Sequence, residues 1–378
     1  MSRKLLALAV GLALLASVTL ATATEPATEA ANDAVAYIET LQNADGGFPA
    51  FGADSSPGST LDAVFAFVAA GRDPTAIVTD GNSPADYLAA QADTYSVDAG
   101  AAAKLMLGVV VMGLDHRDFG ELDLPSVLEG HLAEDPSTGV YGLDLFDQAL
   151  YILALTAAGE PLRPAAVDYL RSLQVDDGGW EFSPGSGSDS NTTAIALQAL
   201  IAVGADAEDT AIVAGLEYLH TLQNADGGFG FLPDSESDPN STAFVIQALA
   251  AVGADIGPNA EWAQGGNTPM EAMLAFQNPE TGAFQFAGED SPFATYQAVP
   301  ALMLAPFPSL EPRILAEATP VAPILTLEVA ATPTSAVDAF PSVGGGPGGG
   351  GMSWWVVAAL LVGALGASAS GVAVRRSR

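Results

Sequence analysis

The stretch Tyr169-Leu-Arg-Ser-Leu-Gln-Val-Asp-Asp-Gly-Gly-Trp180 decides the fold, because the chain repeats it. Tyr37-Ile-Glu-Thr-Leu-Gln-Asn-Ala-Asp-Gly-Gly-Phe48 and Tyr218-Leu-His-Thr-Leu-Gln-Asn-Ala-Asp-Gly-Gly-Phe229 are close copies. Met273-Leu-Ala-Phe-Gln-Asn-Pro-Glu-Thr-Gly-Ala-Phe284 has diverged, and Gly130-His-Leu-Ala-Glu-Asp-Pro-Ser-Thr-Gly-Val-Tyr141 has diverged further. Tyr87-Leu-Ala-Ala-Gln91 keeps the helix end and the Gln. Anchored on that column, the units fall at 42, 91, 133, 174, 223 and 277, with steps of 49, 42, 41, 49 and 54 residues. A period of this size marks a chain built from stacked supersecondary units.

Each unit reads the same way. A short amphipathic helix ends in the Gln, and a turn follows in which Gly supplies positive φ. An aromatic, a polar loop and a second, far more apolar helix complete it. Residues 193–203 and 242–252 are two such second helices, each ending at a glycine, Gly204 and Gly253. They are apolar nearly all round and should be buried on most faces, with the first helices outside them. Six inner–outer pairs predict an all-α fold, an α/α toroid (an α6/α6 barrel). Closure removes the need for polar caps at the ends of an open array.

The ends of the 378-residue chain read differently. Residues 1–23 carry Arg3 and Lys4, an apolar run, and Ala21-Thr22-Ala23, the pattern of a secretory signal peptide. The toroid is expected over 24–305, and a Pro/Gly/Ala-rich stalk over 306–352. Residues 353–374 are apolar and uncharged, with Trp354 and Trp355 at one edge and Arg375, Arg376 and Arg378 beyond the other. That predicts a single transmembrane helix and a cytoplasmic basic tail, 375–378, with the ectodomain outside the cell membrane. The glycine run before it also resembles bacterial C-terminal sorting tails.

Of 11 Lys and Arg, five sit at these two ends, whereas all 45 Asp and Glu lie between them. A nucleic-acid surface needs clustered cations, so DNA and RNA are excluded as partners. With no Cys there is no disulfide, thiol nucleophile, iron–sulfur cluster or Cys-ligated zinc.

Gln174-x3-Gly178-Gly179-Trp180 resembles the Gln–Trp repeat of squalene and terpene cyclases; Gln42 to Phe48 and Gln223 to Phe229 match with Phe for Trp. The resemblance covers most of residues 34–304. It extends to the prenyltransferase superfamily, including prenyltransferase β subunits and the helical domain of cobalamin carriers such as transcobalamin and intrinsic factor. It implies the toroid fold and leaves the chemistry open, since one fold hosts many functions. Prenyltransferase zinc requires a Cys that is absent. Class II cyclases protonate an alkene with an Asp-x-Asp-Asp acid, and the chain has no such motif; Asp176-Asp177 and Asp206-Ala-Glu-Asp209 are the nearest strings. There is no Gly-x-Ser-x-Gly or His-Glu-x-x-His among motifs involving its three histidines, His116, His131 and His220. No metal site is expected at the Asn-Ala-Asp-Gly-Gly turns, which lack the frame of a calcium loop.

What remains is the rim where the loops enter the inner helices. The candidate ligand-binding residues there are Asp62, Asp98, Asp147, Gln148, Asn191, Thr193, Asn240, Thr242 and Tyr296. Ser, Thr, Asn and Asp at such places also serve as helix N-caps, and Asn191 and Asn240 fit glycosylation sequons. The sequence reading is thus a surface protein whose toroid binds, without catalysis, a small ligand or a partner protein. That ligand is cobalamin-like or otherwise partly apolar. A cyclase-type enzyme with a non-standard acid and a structural surface module are the alternatives. A deep apolar cavity with a buried carboxyl would favour the enzyme, a polar rim the binder, and a filled centre the structural module.

Overall fold

The computed structural model describes residues 23–310. Among them are twelve α-helices. The inner ones are α2 (Pro57–Ala69), α4 (Ala99–Val111), α6 (Leu145–Ala158), α8 (Ser190–Ala202), α10 (Pro239–Val252) and α12 (Pro292–Leu302). They pack in that order, and α12 returns to α2, so the ring is closed. The outer helices α1 (Glu25–Glu39), α3 (Pro84–Tyr95), α5 (Leu124–Gly130), α7 (Pro164–Ser172), α9 (Thr210–Thr221) and α11 (Pro269–Ala275) lie against them. Every residue of α8 from Ser190 to Leu200 is buried, whereas α7 buries only Ala166 and Leu170. The apolar and amphipathic patterns of the two helix types therefore sort them into layers.

The repeat works through its side chains. Gln174 Nε2 donates to Gly178 O (2.8 Å) in its own turn and to Ala211 O (2.9 Å) in the next outer helix. Gln42 spans Gly46 O and Ile77 O, and Gln223 spans Gly227 O and Trp262 O. Gln277 donates to Gly282 O and, at 2.8 Å, to Ala30 O, which joins the last unit to the first. Each Gln thus satisfies two carbonyls and pins one unit to its neighbour. The turn glycine is required twice over. Gly178 has φ +87°, and a Cβ there would collide with Ala214 O of α9. The aromatic that follows is buried, and its N–H donates to a Thr hydroxyl in the inner helix. Trp180 uses Thr193 (3.0 Å), Phe48 uses Thr60, Phe229 uses Thr242 and Phe284 uses Thr295.

Three expectations change. In the 130–141 unit the turn pairs Leu132 with Tyr141, as Gln174 pairs with Trp180, so the column falls on Leu132 and not on residue 133. Gln91 does not end its helix: α3 continues to Tyr95 and passes to α4 through Ser96, Val97 and Asp98 with no glycine turn. The toroid also runs past Ala305. Leu310 is fully buried, the Phe307 ring lies edge-on to Phe65 at 5.1 Å, and Phe307 N–H donates to Gln198 Oε1 (3.0 Å). Gln247 Nε2 donates to Ala305 O (3.1 Å). Phe65 and Gln198 belong to α2 and α8, which face each other across the ring, so residues 303–310 bridge opposite sides of it at the end where the inner helices finish. Among the described residues no helix is long and apolar enough to cross a membrane. The expected signal peptide, most of the stalk, the transmembrane helix at 353–374 and the basic tail lie outside the described residues.

Candidate functional site

The first turns of the inner helices meet at the opposite end. Their N-caps are Ser56, Asp98, Asp144, Asp189, Asp238 and Ser291, and each side chain accepts a backbone N–H from the first turn of its own helix. Of the expected rim residues only Asp98 is a cap. The others sit inside the helices, where their roles diverge.

Four of them hold the scaffold. Thr193 and Thr242 receive the aromatic N–H groups described above. Tyr296 donates to Pro49 O (2.7 Å) and is buried, tying α12 to the first unit. Gln148 does two jobs. Its Oε1 accepts Tyr141 N–H (2.8 Å), as Thr does elsewhere. Its Nε2 donates to Gly139 O and Ala166 O, both at 3.0 Å, as the repeat Gln does elsewhere. It therefore replaces the Gln that Leu132 cannot supply. The two sequon asparagines are buried as well, which leaves no room for a glycan at either. Asn240 donates to Gln297 Oε1 (2.7 Å), and Asn191 Oδ1 accepts from Ser190 (3.1 Å).

The structure brings Asp98 and Asp147 together with Asp144. Asp147 Oδ2 accepts Leu143 N–H (2.9 Å), and its carboxyl fills the space beside Gly100 of α4. Burial, with the neighbouring acid charges, raises Asp144 to about 7 and Asp147 to about 6. The caps Asp189 and Asp238 are likewise raised by burial, to about 7 and about 6, against the opposing pull of their backbone hydrogen bonds. No group of His, Asp and Glu suited to a metal ion occurs among the described residues.

Asp62 lies elsewhere, at a cavity of about 300 Å³ between the first turns of α2 and α12. The cavity is lined by Phe51 and Phe293, by Asp54, Ser56 and Ser59, and by Asp62 with Lys104. Lys104 Nζ donates to Asp62 Oδ1 (2.9 Å) and to Gly58 O (2.7 Å), and the lysine is fully buried. Burial pushes the Asp62 carboxyl up to about 7 and the Lys104 ammonium down to about 7, while their mutual attraction opposes both shifts. As an ion pair they contribute no net charge. The Phe51 and Phe293 rings lie 6.1 Å apart, and Phe51 is largely exposed. The arrangement joins an aromatic flank to a polar floor of hydroxyls, carboxyls and one amine. Sequence reasoning missed Lys104, Phe51 and Phe293. The available signal was Lys104, a lone cation in the middle of an otherwise apolar helix.

The histidines lie outside the cavity, and only His131 lies near the Asp147 cluster. His131 bonds Ser96 O (2.9 Å), His116 pairs with Glu160 (2.9 Å) beside Arg117, and His220 packs on Trp262 with ring centroids 5.1 Å apart.

No curated protein matches the chain in sequence. Among solved structures, the type II terpene cyclase MstE from Scytonema is similar at TM-score 0.53 and 17% identity, over 74% of this chain and 98% of that one. A variant of the same cyclase, in complex with the substrate geranylgeranyl dihydroxybenzoate, gives 0.51 and 16%, over 73% and 96%. Haptocorrin in complex with cobinamide gives 0.50 and 16%, over 78% and 70%. At these identities the likeness is one of fold: relatives with this closed ring include both an enzyme and a ligand binder. Residues 6–96 and 136–312 match the prenyltransferase alpha-alpha toroid domain, so the matched part takes in all four units that keep both the Gln and the glycine turn. With a ring that closes through the same Gln column, the chain belongs to the prenyltransferase alpha-alpha toroid domain family.

Proposed function

We propose that the toroid is a non-catalytic binding module carried outside the cell, and that its rim cavity takes a small, partly apolar ligand. The cavity between α2 and α12 carries this reading: Phe51 and Phe293 offer apolar contact, and Ser59 and the Asp62–Lys104 pair offer a polar floor. Such a combination is usual for small-molecule sites. The volume, about 300 Å³, lies at the small end for such sites and favours a ligand well below the size of cobalamin. Residues 303–310 pack against α2, α8 and α10, which speaks against a deep reaction chamber and is what a structural module would also show; the open rim cavity is what favours a binder. Two of the three similar structures described above hold a small, partly apolar molecule. The apolar segment at 353–374 supports anchoring in the cell membrane by one C-terminal helix, with the rim exposed outside. Protease shaving of intact cells, with loss of the toroid and retention of the tail, tests that placement.

Ligand-detected NMR with a set of aromatic and aliphatic alcohols and amines, with cobalamin as a separate arm, tests the site. We expect fragments to bind and to lose their signal in Phe51→Ala and Ser59→Val, and cobalamin to stay unbound. Fragments that bind both variants as well as the natural protein, or none that bind at all, would overturn the cavity. Saturable cobalamin binding would restore a carrier role.

A further inference from the structure

Three of the four large apolar side chains left exposed among the described residues stand on consecutive rim loops: Phe51 (61%), Val97 (76%) and Leu143 (95%). The helices they precede, α2, α4 and α6, are neighbours in the ring. The helix starts that carry these loops meet, since Lys104 of α4 reaches Gly58 O of α2 and the Asp147 carboxyl of α6 abuts Gly100 of α4. These apolar groups are not there through slack. Leu143 N–H is held by Asp147, and Gly142, at φ +67°, has its Cβ position taken by the same carboxyl. Val97 and Leu143 each precede the capping Asp of their helix. A rigid backbone that presents apolar side chains to water marks an interaction surface.

The charge around this surface defines its partner. The six rim loops are residues 49–56, 96–98, 142–144, 181–189, 230–238 and 285–291. Each carries an Asp or Glu, and none carries a Lys or Arg, so above the range in which Asp144, Asp189 and Asp238 titrate the rim is anionic throughout. A second copy would bring the same sign of charge to the contact, and anionic lipid would be repelled. Complementarity requires a cationic surface. We propose that the rim face around Val97 and Leu143 docks a protein segment with apolar side chains flanked by Lys and Arg. This surface is independent of the ligand cavity, which neither Val97 nor Leu143 lines.

The test titrates the full chain with a synthetic peptide of alternating Leu and Lys, and with a Leu–Glu peptide as control. Each is run at 0.15 M and at 1 M salt (roughly 8 Å and 3 Å screening lengths). The comparison is with Val97→Ser/Leu143→Ser, which leaves every charge and every buried group in place. The expected result is binding of the Leu–Lys peptide alone, weakened at least tenfold in the double variant and again at high salt. Equal affinity for the double variant would mean bulk charge attraction and would overturn the proposal, as would no binding to the natural chain. Sedimentation gives a further arm: self-association lost in the double variant would make the face a contact between copies and would also overturn it. Failure of the cavity, read with Phe51→Ala and Ser59→Val, leaves these outcomes unchanged.

Discussion

Gln148 shows how a repeat tolerates the loss of its defining residue. Where Leu132 replaces the Gln, one side chain on the inner helix bonds Tyr141 N–H and the two carbonyls at once. Gln148→Thr should keep the first bond and strand Gly139 O and Ala166 O, at a cost of about 2 kcal/mol. Adding Leu132→Gln should recover about half of that; urea denaturation of the single and double variants measures it, and no recovery would deny the equivalence. The Asp62–Lys104 pair makes the complementary case. Lys104→Met leaves a buried carboxylate unpaired and should cost about 3 kcal/mol, whereas Lys104→Met with Asp62→Leu should lose far less. A double variant as unstable as the single one would show that the pair matters through its packing.

At the scale of elements, the inner and outer layers were legible because helix burial is written in periodicity, and the closed ring because the units repeat. The bridge across the ring was not. Residues 306–310 follow the last repeat and contain two prolines, so composition alone assigns them to the stalk. The clue lay in Gln198 and Gln247, two polar residues inside apolar helices, whose buried amides bond Phe307 N–H and Ala305 O. The starts of the inner helices were legible, but the division of labour among their side chains was not, because a Thr or Gln that receives a backbone N–H looks in sequence like one that faces a ligand. Phe307→Ala should destabilise the ring by about 2 kcal/mol through lost packing on Phe65. Hydrogen exchange should quicken in α2 and α8 together, since the ring spans both; quickening confined to the last residues would mean that the segment is only draped over the end.

At the scale of the whole molecule, the buried rim carboxyls couple folding to pH. The raised carboxyls of Asp144, Asp147, Asp189 and Asp238 hold protons in the folded ring that the unfolded chain releases from about pH 4 upward. Their contribution is fully present below that range and is lost as pH rises through about 6 to 7. Repulsion among the excess acids acts in the same direction. The melting temperature should therefore fall between pH 5 and pH 8 at constant ionic strength, and a rise across that interval would deny that these groups are shielded from water.

The bridge across the ring also sets how the protein bears load. A pull on the chain beyond Leu310 cannot simply peel a helix from the edge. Tension passes through Phe307 and Ala305 into α2, α8 and α10 at once. The force is shared around the barrel wall, as a toggle spreads it behind a panel, so the end that leads into residues 311–378 is the end built to resist pulling.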